Sequence, residues 1–443
     1  MNNLNKNYLY FPQKMSSLTK EEYLTSLKRE LSKLDFISED KFDSLLSYFQ
    51  DVDVIGFDID FTLLLYNKKN MTKLIYDSLC EFLIKHKNYP DKIHYSENKD
   101  FVDAISCKNI VIDFKRGNAL KLRKDKSIIK CYHGKKELTK DEIYKIYNNG
   151  AFPEFKISIV YTRDYYLNID SFQPQNLALF LVCVDLFDKG ELTIIKEYED
   201  IIKHILDGMN YNYCIKSFED FSTFGYYFPE IYKHPELYLY TKYNCEELLD
   251  KLRKKGKKIF FATNSNYSYS HYILEKVMGN NYHNYFDLCF YKSCKPGFFQ
   301  DPKESNSKCY FYNDQSEISC TEMTDDIYKK ISEGNKILTG GSYVLVEHYF
   351  QKMLKKQNLK CVFVGDNMIG DCEVPSKLPN WDSIFIYDDI KLDFIGENQE
   401  NYQKAFDTDN EKDEYENTFS LYFDKKSCLF ALPNVEGFKY LFD

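Results

Sequence analysis

At 443 residues the chain is too long for one hydrophobic core, so two or three subdomains are expected. A net charge of −9 argues against a nucleic-acid groove, no basic run suggests one, and no stretch reaches the ~20 apolar residues of a membrane span. Its 13 cysteines include no Cys-x-x-Cys pair, which fits reduced thiols in a cytoplasm, and the polar first residues carry no signal-peptide core.

Residues 1–50 read as a helical lead-in. Thr19 and Glu22 form a capping box, and Leu24, Leu27, Leu31 and Leu34 share one face that packs on the main body. Val54–Phe57, an apolar run between polar residues, predicts a buried strand of a parallel sheet. It ends in Asp58 and Asp60, one residue apart, and then Thr62. Ligands in open α/β sheets bind beyond the carboxyl ends of the strands, which puts both carboxylates in a crevice. Two carboxylates held that close repel each other, and a divalent cation relieves the repulsion.

The pattern then changes. Residues 109–138 predict a strand meander, and helices follow at residues 176–187, apolar all round, and 191–206, amphipathic. They interrupt a sheet whose next strand comes only at Lys258, so residues 67–233 are expected to form an inserted α+β cap domain. A helix capped by Asn244 and Glu247 ends at Gly256, and the strand Lys258–Ala262 runs into Thr263, Asn264 and Ser265. Apolar residues 288–291 precede Lys295-Pro296, and Gly340-Gly341-Ser342 precedes a helix. Residues 361–364 lead into Gly365-Asp366 and Gly370-Asp371. Such alternation predicts an α/β fold, a doubly wound Rossmann-like parallel sheet over residues 51–66 and 234–390. Residues 391–443 form a C-terminal segment whose acidic part, 397–417, is expected to be a mobile surface stretch.

Four strand ends thus carry polar groups that suit a phosphate ester. Asp58 at a strand tip is the natural nucleophile, forming an aspartyl-phosphate. Asp60 gives a proton to the leaving alkoxide and later takes one from water. Thr263, Asn264 and Ser265 donate to phosphoryl oxygens, and Lys295 offsets accumulating negative charge. Asp366 completes a Mg²⁺ site with Asp58 and the backbone carbonyl of Asp60, and Asp371 supports it.

These motifs in this order resemble the haloacid dehalogenase superfamily of aspartyl-phosphate phosphatases. The wording GFDIDFTLLLYN, FFATNSNYSY, KPGFF, GGS and VFVGDNMIGD is similar to the cytosolic purine 5′-nucleotidases, the IMP- and GMP-preferring kind, and their nucleotidase-domain-containing relatives. So is NIVIDFKRGNALKLRKD…CYHG in the cap. The resemblance implies a cytoplasmic, Mg²⁺-dependent enzyme whose substrate is a nucleoside monophosphate, with phosphotransferase activity as a companion. It implies Asp58 as nucleophile and Asp60 as acid/base. Asn118 and Lys121 match its cap motif, and Arg163 and Tyr165, within ISIVYTRDYYL, are assigned to contact and stack the base. A homo-oligomer is expected, with no nucleic-acid or membrane partner. Two alternatives stay open: a phosphatase of the same core for another small ester, and a non-catalytic binding or scaffold protein.

Overall fold

The computed structural model describes residues 19–33, 39–156, 162, 164–168, 172–240, 245–387, 404–407 and 428–442. They form mixed α/β structure, with fourteen α-helices and fourteen strands among the described residues. The chain divides into two compact units. Met1–Tyr66, Leu239–Gly396 and Asp424–Asp443 make the first, and Asn67–Tyr238 with Glu397–Phe423 make the second. Strand β1 (Val54–Phe57) lies in the first unit. Strands β2 (Ile110–Asp113), β3 (Asn118–Leu122), β4 (Ile128–His133), β5 (Lys136–Glu137) and β6 (Tyr166–Asn168) lie in the second. The first unit resumes with β7 (Lys258–Ala262), β8 (Leu288–Tyr291), β9 (Cys309–Phe311) and β10 (Glu317–Ile318). It ends with β11 (Ile337–Gly340), β12 (Cys361–Gly365), β13 (Trp381–Ile386) and β14 (Phe430–Leu432).

The sheet of the first unit runs β10-β9-β11-β8-β7-β1-β12-β13-β14. From β11 to β14 every neighbour pairs parallel, and β9 and β10 join antiparallel at one edge. The chain fills the sheet outward from β1 through β7, β8 and β11, then returns to β12 on the other side. That reversal falls between β1 and β12, where a ligand crevice opens in a doubly wound sheet. The expected Rossmann-like sheet is present.

Packing explains why β1 sits at the centre. Val54, Ile55 and Phe57 are fully buried, as a strand covered on both faces requires. Gly56 lies in register with Phe260 of β7 and Phe363 of β12, and a Cβ there would fall 2.3 Å from the Phe260 ring. Phe299 packs edge-on against Phe363 with centroids 4.8 Å apart, and against Trp381 at 5.5 Å. Each ring so buried contributes about 1.5–3 kcal/mol.

The lead-in helix, Lys20–Lys33, starts at the expected capping box, with Glu22 N–H donating to Thr19 Oγ1 at 3.2 Å. Leu27 and Leu31 are buried, but Tyr23 takes the place expected for Leu24. The Tyr23 ring stacks on Tyr440 at 4.8 Å, and that contact turns the buried face by one position. Leu34 and Asn244 lie outside the described residues.

The second unit holds a five-stranded sheet in the order β5-β4-β3-β2-β6, antiparallel throughout. Pro174–Asp188 is a largely buried helix, matching its apolar composition. The amphipathic helix spans Tyr198–Asn212, not residues 191–206, because Glu197 and Asp200 form the capping box and Leu192 and Ile195 are buried outside it. Of the acidic stretch, residues 404–407 are described. Phe406 is 3% exposed beside the Tyr132 ring, so this part is a docked segment and not a mobile one. All thirteen cysteines are free thiols. No described helix is long and apolar enough to cross a membrane.

Candidate active site

Strand register brings the motifs to one edge. Phe57 pairs with Phe261 and Val364, so β1, β7 and β12 end level with one another. Backbone bonds carry the alignment one residue further: Asp58 N–H donates to Val364 O at 2.8 Å, and Thr263 N–H to Phe290 O at 2.9 Å. Asp58, Thr263 and Asp366 therefore leave the sheet side by side.

Asp58, Asp366 and Asp371 form one cluster, with a carboxylate oxygen of each within 4.8 Å of the others. Asp371 sits in the single turn Met368–Glu373 and folds back on Gly365, where a Cβ would meet its Oδ2 at 2.3 Å. Asn367 N–H donates to that same oxygen at 3.0 Å. The second Gly-Asp of the motif thus needs the first glycine, which leaves room for its carboxylate. Lys295 Nζ lies 2.7 Å from Asp58 Oδ1 and 2.7 Å from Asp371 Oδ1, with its side chain 5% exposed. Burial works against the lysine charge, but Asp371 and Asp58 outweigh it and hold the pKa above the usual lysine range. Burial pushes the Asp371 carboxyl up to about 6, with Lys295 pulling it down and Asp58 pushing it further up. Three clustered carboxylates against one ammonium leave negative charge in excess, and such hard oxygen donors fit a divalent cation.

The Asp60 side chain belongs to a second cluster. Tyr66 donates its hydroxyl to Asp60 Oδ1 at 2.5 Å, and Ser265 donates to Oδ2 at 3.1 Å. Burial, and then Asp58, push the Asp60 carboxyl up to about 6 against these donors and Lys295. Ser265, expected to bind phosphate, instead spends its hydroxyl on Asp60. Thr263 is 1% exposed, and its Oγ1 accepts Ser265 N–H at 3.1 Å, a bond that leaves the hydroxyl hydrogen for another acceptor. Asn264 was also expected on the phosphate, but its amide clasps the next motif. Its Oδ1 accepts Lys295 N–H at 2.6 Å and its Nδ2 donates to Lys295 O at 2.9 Å. Tyr66 is the residue that sequence reasoning missed. Its only signal, an aromatic six positions after Asp60, looks like any core tyrosine.

In the second unit the expected substrate contacts fare differently. Asn118 is buried, its Nδ2 donating to Tyr147 Oη at 2.8 Å and its Oδ1 2.7 Å from His133 Nδ1. Asp113, fully buried, accepts the Tyr147 hydroxyl at 2.7 Å and Arg116 at 2.8 Å, so Asn118 is one link in a polar chain within the unit. Lys121 Nζ donates to Phe406 O at 2.9 Å. Tyr165 is 1% exposed and packs against Phe152 and Phe155, with its hydroxyl donating to Lys156 O at 3.0 Å. A ring so enclosed has no free face on which a base could stack. Arg163 lies outside the described residues.

Fold and site define an α/β protein that gathers carboxylates, a buried lysine and hydroxyls at the carboxyl edge of a parallel sheet. Residues 47–427 match the 5′ nucleotidase family, and the chain belongs to that family. It is 27% identical over 351 residues to 5′-nucleotidase domain-containing protein 1 of Homo sapiens, covering 77% of this chain and 72% of the relative. The Bos taurus counterpart is 26% identical over 359 residues, 79% of this chain and 75% of the relative. 5′-nucleotidase domain-containing protein 2 of Homo sapiens is 23% identical over 260 residues, 58% of this chain and 47% of the relative.

Proposed function

We propose that the protein hydrolyses nucleoside 5′-monophosphates, with purine nucleotides of the IMP and GMP type preferred, through an aspartyl-phosphate on Asp58. The observation that carries this reading is the Asp58–Lys295–Asp371 arrangement, with Lys295 Nζ 2.7 Å from both carboxylates. Family membership supports the substrate class. Mg²⁺ held by Asp58, Asp366 and Asp371 would supply charge neutralisation for the phosphoryl oxygens.

Asp58 attacks phosphorus while Lys295 and the Thr263 hydroxyl stabilise the charge that develops there. Asp60, with its pKa near 6, protonates the departing nucleoside alkoxide and then takes a proton from the water that releases phosphate. A second nucleoside in place of that water gives phosphotransfer. The free thiols support a reducing, cytoplasmic setting.

Phosphate release from a panel of nucleotides and sugar phosphates, with and without Mg²⁺, tests the reading. Asp58→Asn should abolish turnover of every ester. Asp60→Asn should release about one equivalent of nitrophenol from p-nitrophenyl phosphate and then stall, because that leaving group needs no proton but the hydrolytic water does. No Mg²⁺-dependent release from any nucleotide would leave a binding protein of this family as the reading.

A further inference from the structure

Asp60 carries two jobs in sequence, proton donor and proton acceptor, and both require its carboxyl to point at the same place. Asp60 does not hold that direction alone. Tyr66 and Ser265 each take one carboxylate oxygen, at 2.5 Å and 3.1 Å. Ser265 belongs to the strand-end loop after β7, whereas Tyr66 comes from the same turn as Asp60.

That turn is tightly specified. Phe61 adopts a positive φ of 54°, Leu64 N–H donates to Ile59 O at 2.8 Å, and Asp60 and Leu64 form a bridge. These contacts fold the chain back so that residue 66 faces residue 60. The Tyr66 ring is 3% exposed and lies against Phe61 with centroids 4.9 Å apart. Its backbone is fixed as well. Tyr66 is the last residue of the first unit before the insertion, Leu239 is the first after it, and the two form an antiparallel bridge. Tyr240 N–H donates to Leu65 O at 3.0 Å beside that bridge. A ring with so little freedom delivers its hydroxyl to one point.

We infer that Tyr66 is a positioning residue for the acid/base step: its hydroxyl orients the Asp60 carboxyl toward the leaving oxygen and then toward the hydrolytic water. This rests on the phosphatase reading above. A hydroxyl suits both halves of the cycle, since it donates to the carboxylate and can still donate to a lone pair of the protonated acid, which leaves the acid proton for the leaving oxygen. Ser265 serves the opposite oxygen, so neither hydroxyl substitutes for the other.

Tyr66→Phe keeps the ring and its packing and removes only the oxygen. With a nucleoside monophosphate, kcat should fall about 10- to 100-fold with KM unchanged, because orientation and not binding is lost. With p-nitrophenyl phosphate, the rapid-mixing burst of nitrophenol should keep its rate and its amplitude of about one equivalent, while the steady state after it slows. That burst also reports a folded site, and Mg²⁺ titration by calorimetry should match the wild type. An unchanged kcat on the nucleotide, or an equal loss in burst rate and nucleotide turnover, would overturn the proposal. If the wild type itself turns over neither substrate, the phosphatase reading fails and this inference falls with it. A wild type that turns over beside an unaltered Tyr66→Phe overturns the positioning role alone.

Discussion

Asn264 and Lys295 are joined at two points: the asparagine amide accepts the lysine N–H at 2.6 Å and donates to the lysine carbonyl at 2.9 Å. This clasp ties the end of β7 to the loop that delivers the buried ammonium to Asp58 and Asp371. Ser293 Oγ adds a third contact, to Asn264 Oδ1 at 3.2 Å. Asn264→Ala should therefore loosen Lys295 without touching the ester. We expect kcat to fall at least about 10-fold and stability to drop by about 1–2 kcal/mol, read from enzyme kinetics and urea unfolding. A change in KM alone would place Asn264 on the substrate.

Chelation with EDTA should abolish turnover, and Mg²⁺ should restore it. The two later aspartates should separate in stability. Asp371 is fully buried against Lys295, so Asp371→Ala leaves that charge half-paired and should cost about 3–5 kcal/mol. Asp366 is only partly buried, and Asp366→Ala should cost under about 1 kcal/mol while losing as much activity. Calorimetric Mg²⁺ binding and thermal unfolding of both variants give the comparison. Equal destabilisation would contradict it.

Arg163 and Tyr165, two residues apart, should part company. Tyr165→Ala removes an enclosed ring and should destabilise the second unit by about 3–5 kcal/mol. Arg163→Ala should raise KM for nucleotides more than for p-nitrophenyl phosphate. The check is a paired measurement of urea midpoints and of KM for both substrates.

His283 should make stability fall in acid. Burial, then His271 and Lys336, push its pKa down to about 4. The ring also faces the Tyr282 and Tyr267 rings and the Tyr291 hydroxyl, 3.3 Å from Nε2. An unfolded histidine takes its proton near pH 6.5, the folded one only near 4, so stability drops as pH falls through that window. Discounted for the exposed part of the ring, the loss is at most about 2 kcal/mol. Asp60 and Asp371 work in the opposite sense, since their folded pKa values of about 6 favour the folded state in acid. The difference between wild type and His283→Phe isolates the histidine. The variant should gain relative to wild type between pH 6.5 and 4, and a flat difference would refute the assignment.

Much of this protein was legible in the chain itself. The buried strands announced themselves because a strand covered on both faces must be apolar throughout, as Val54–Phe57 and residues 361–364 are. The polar residues that follow each run mark the sheet edge where Asp58, Thr263, Asp366 and Asp371 lie, because parallel strands end on one side of the sheet. Local signals also sufficed for the capping box at Thr19 and Glu22, whose partners lie three residues apart.

Partner choice was not legible. Asn264 and Ser265 looked like phosphate donors by type and place, yet one clasps Lys295 and the other holds Asp60. Tyr165 looked like a stacking ring and is enclosed by Phe152 and Phe155. A hydroxyl, an amide and an aromatic ring carry the same sequence signature whether they meet a ligand or a neighbour. Periodicity reports which face of an element is buried, whereas the atom a side chain finally meets depends on turns and registers set far away. Sequence alone therefore determined the parallel sheet and the acidic cluster at the carboxyl ends of its strands. Only tertiary structure decided that Lys295 would sit between Asp58 and Asp371, and that Tyr66 would reach back to Asp60.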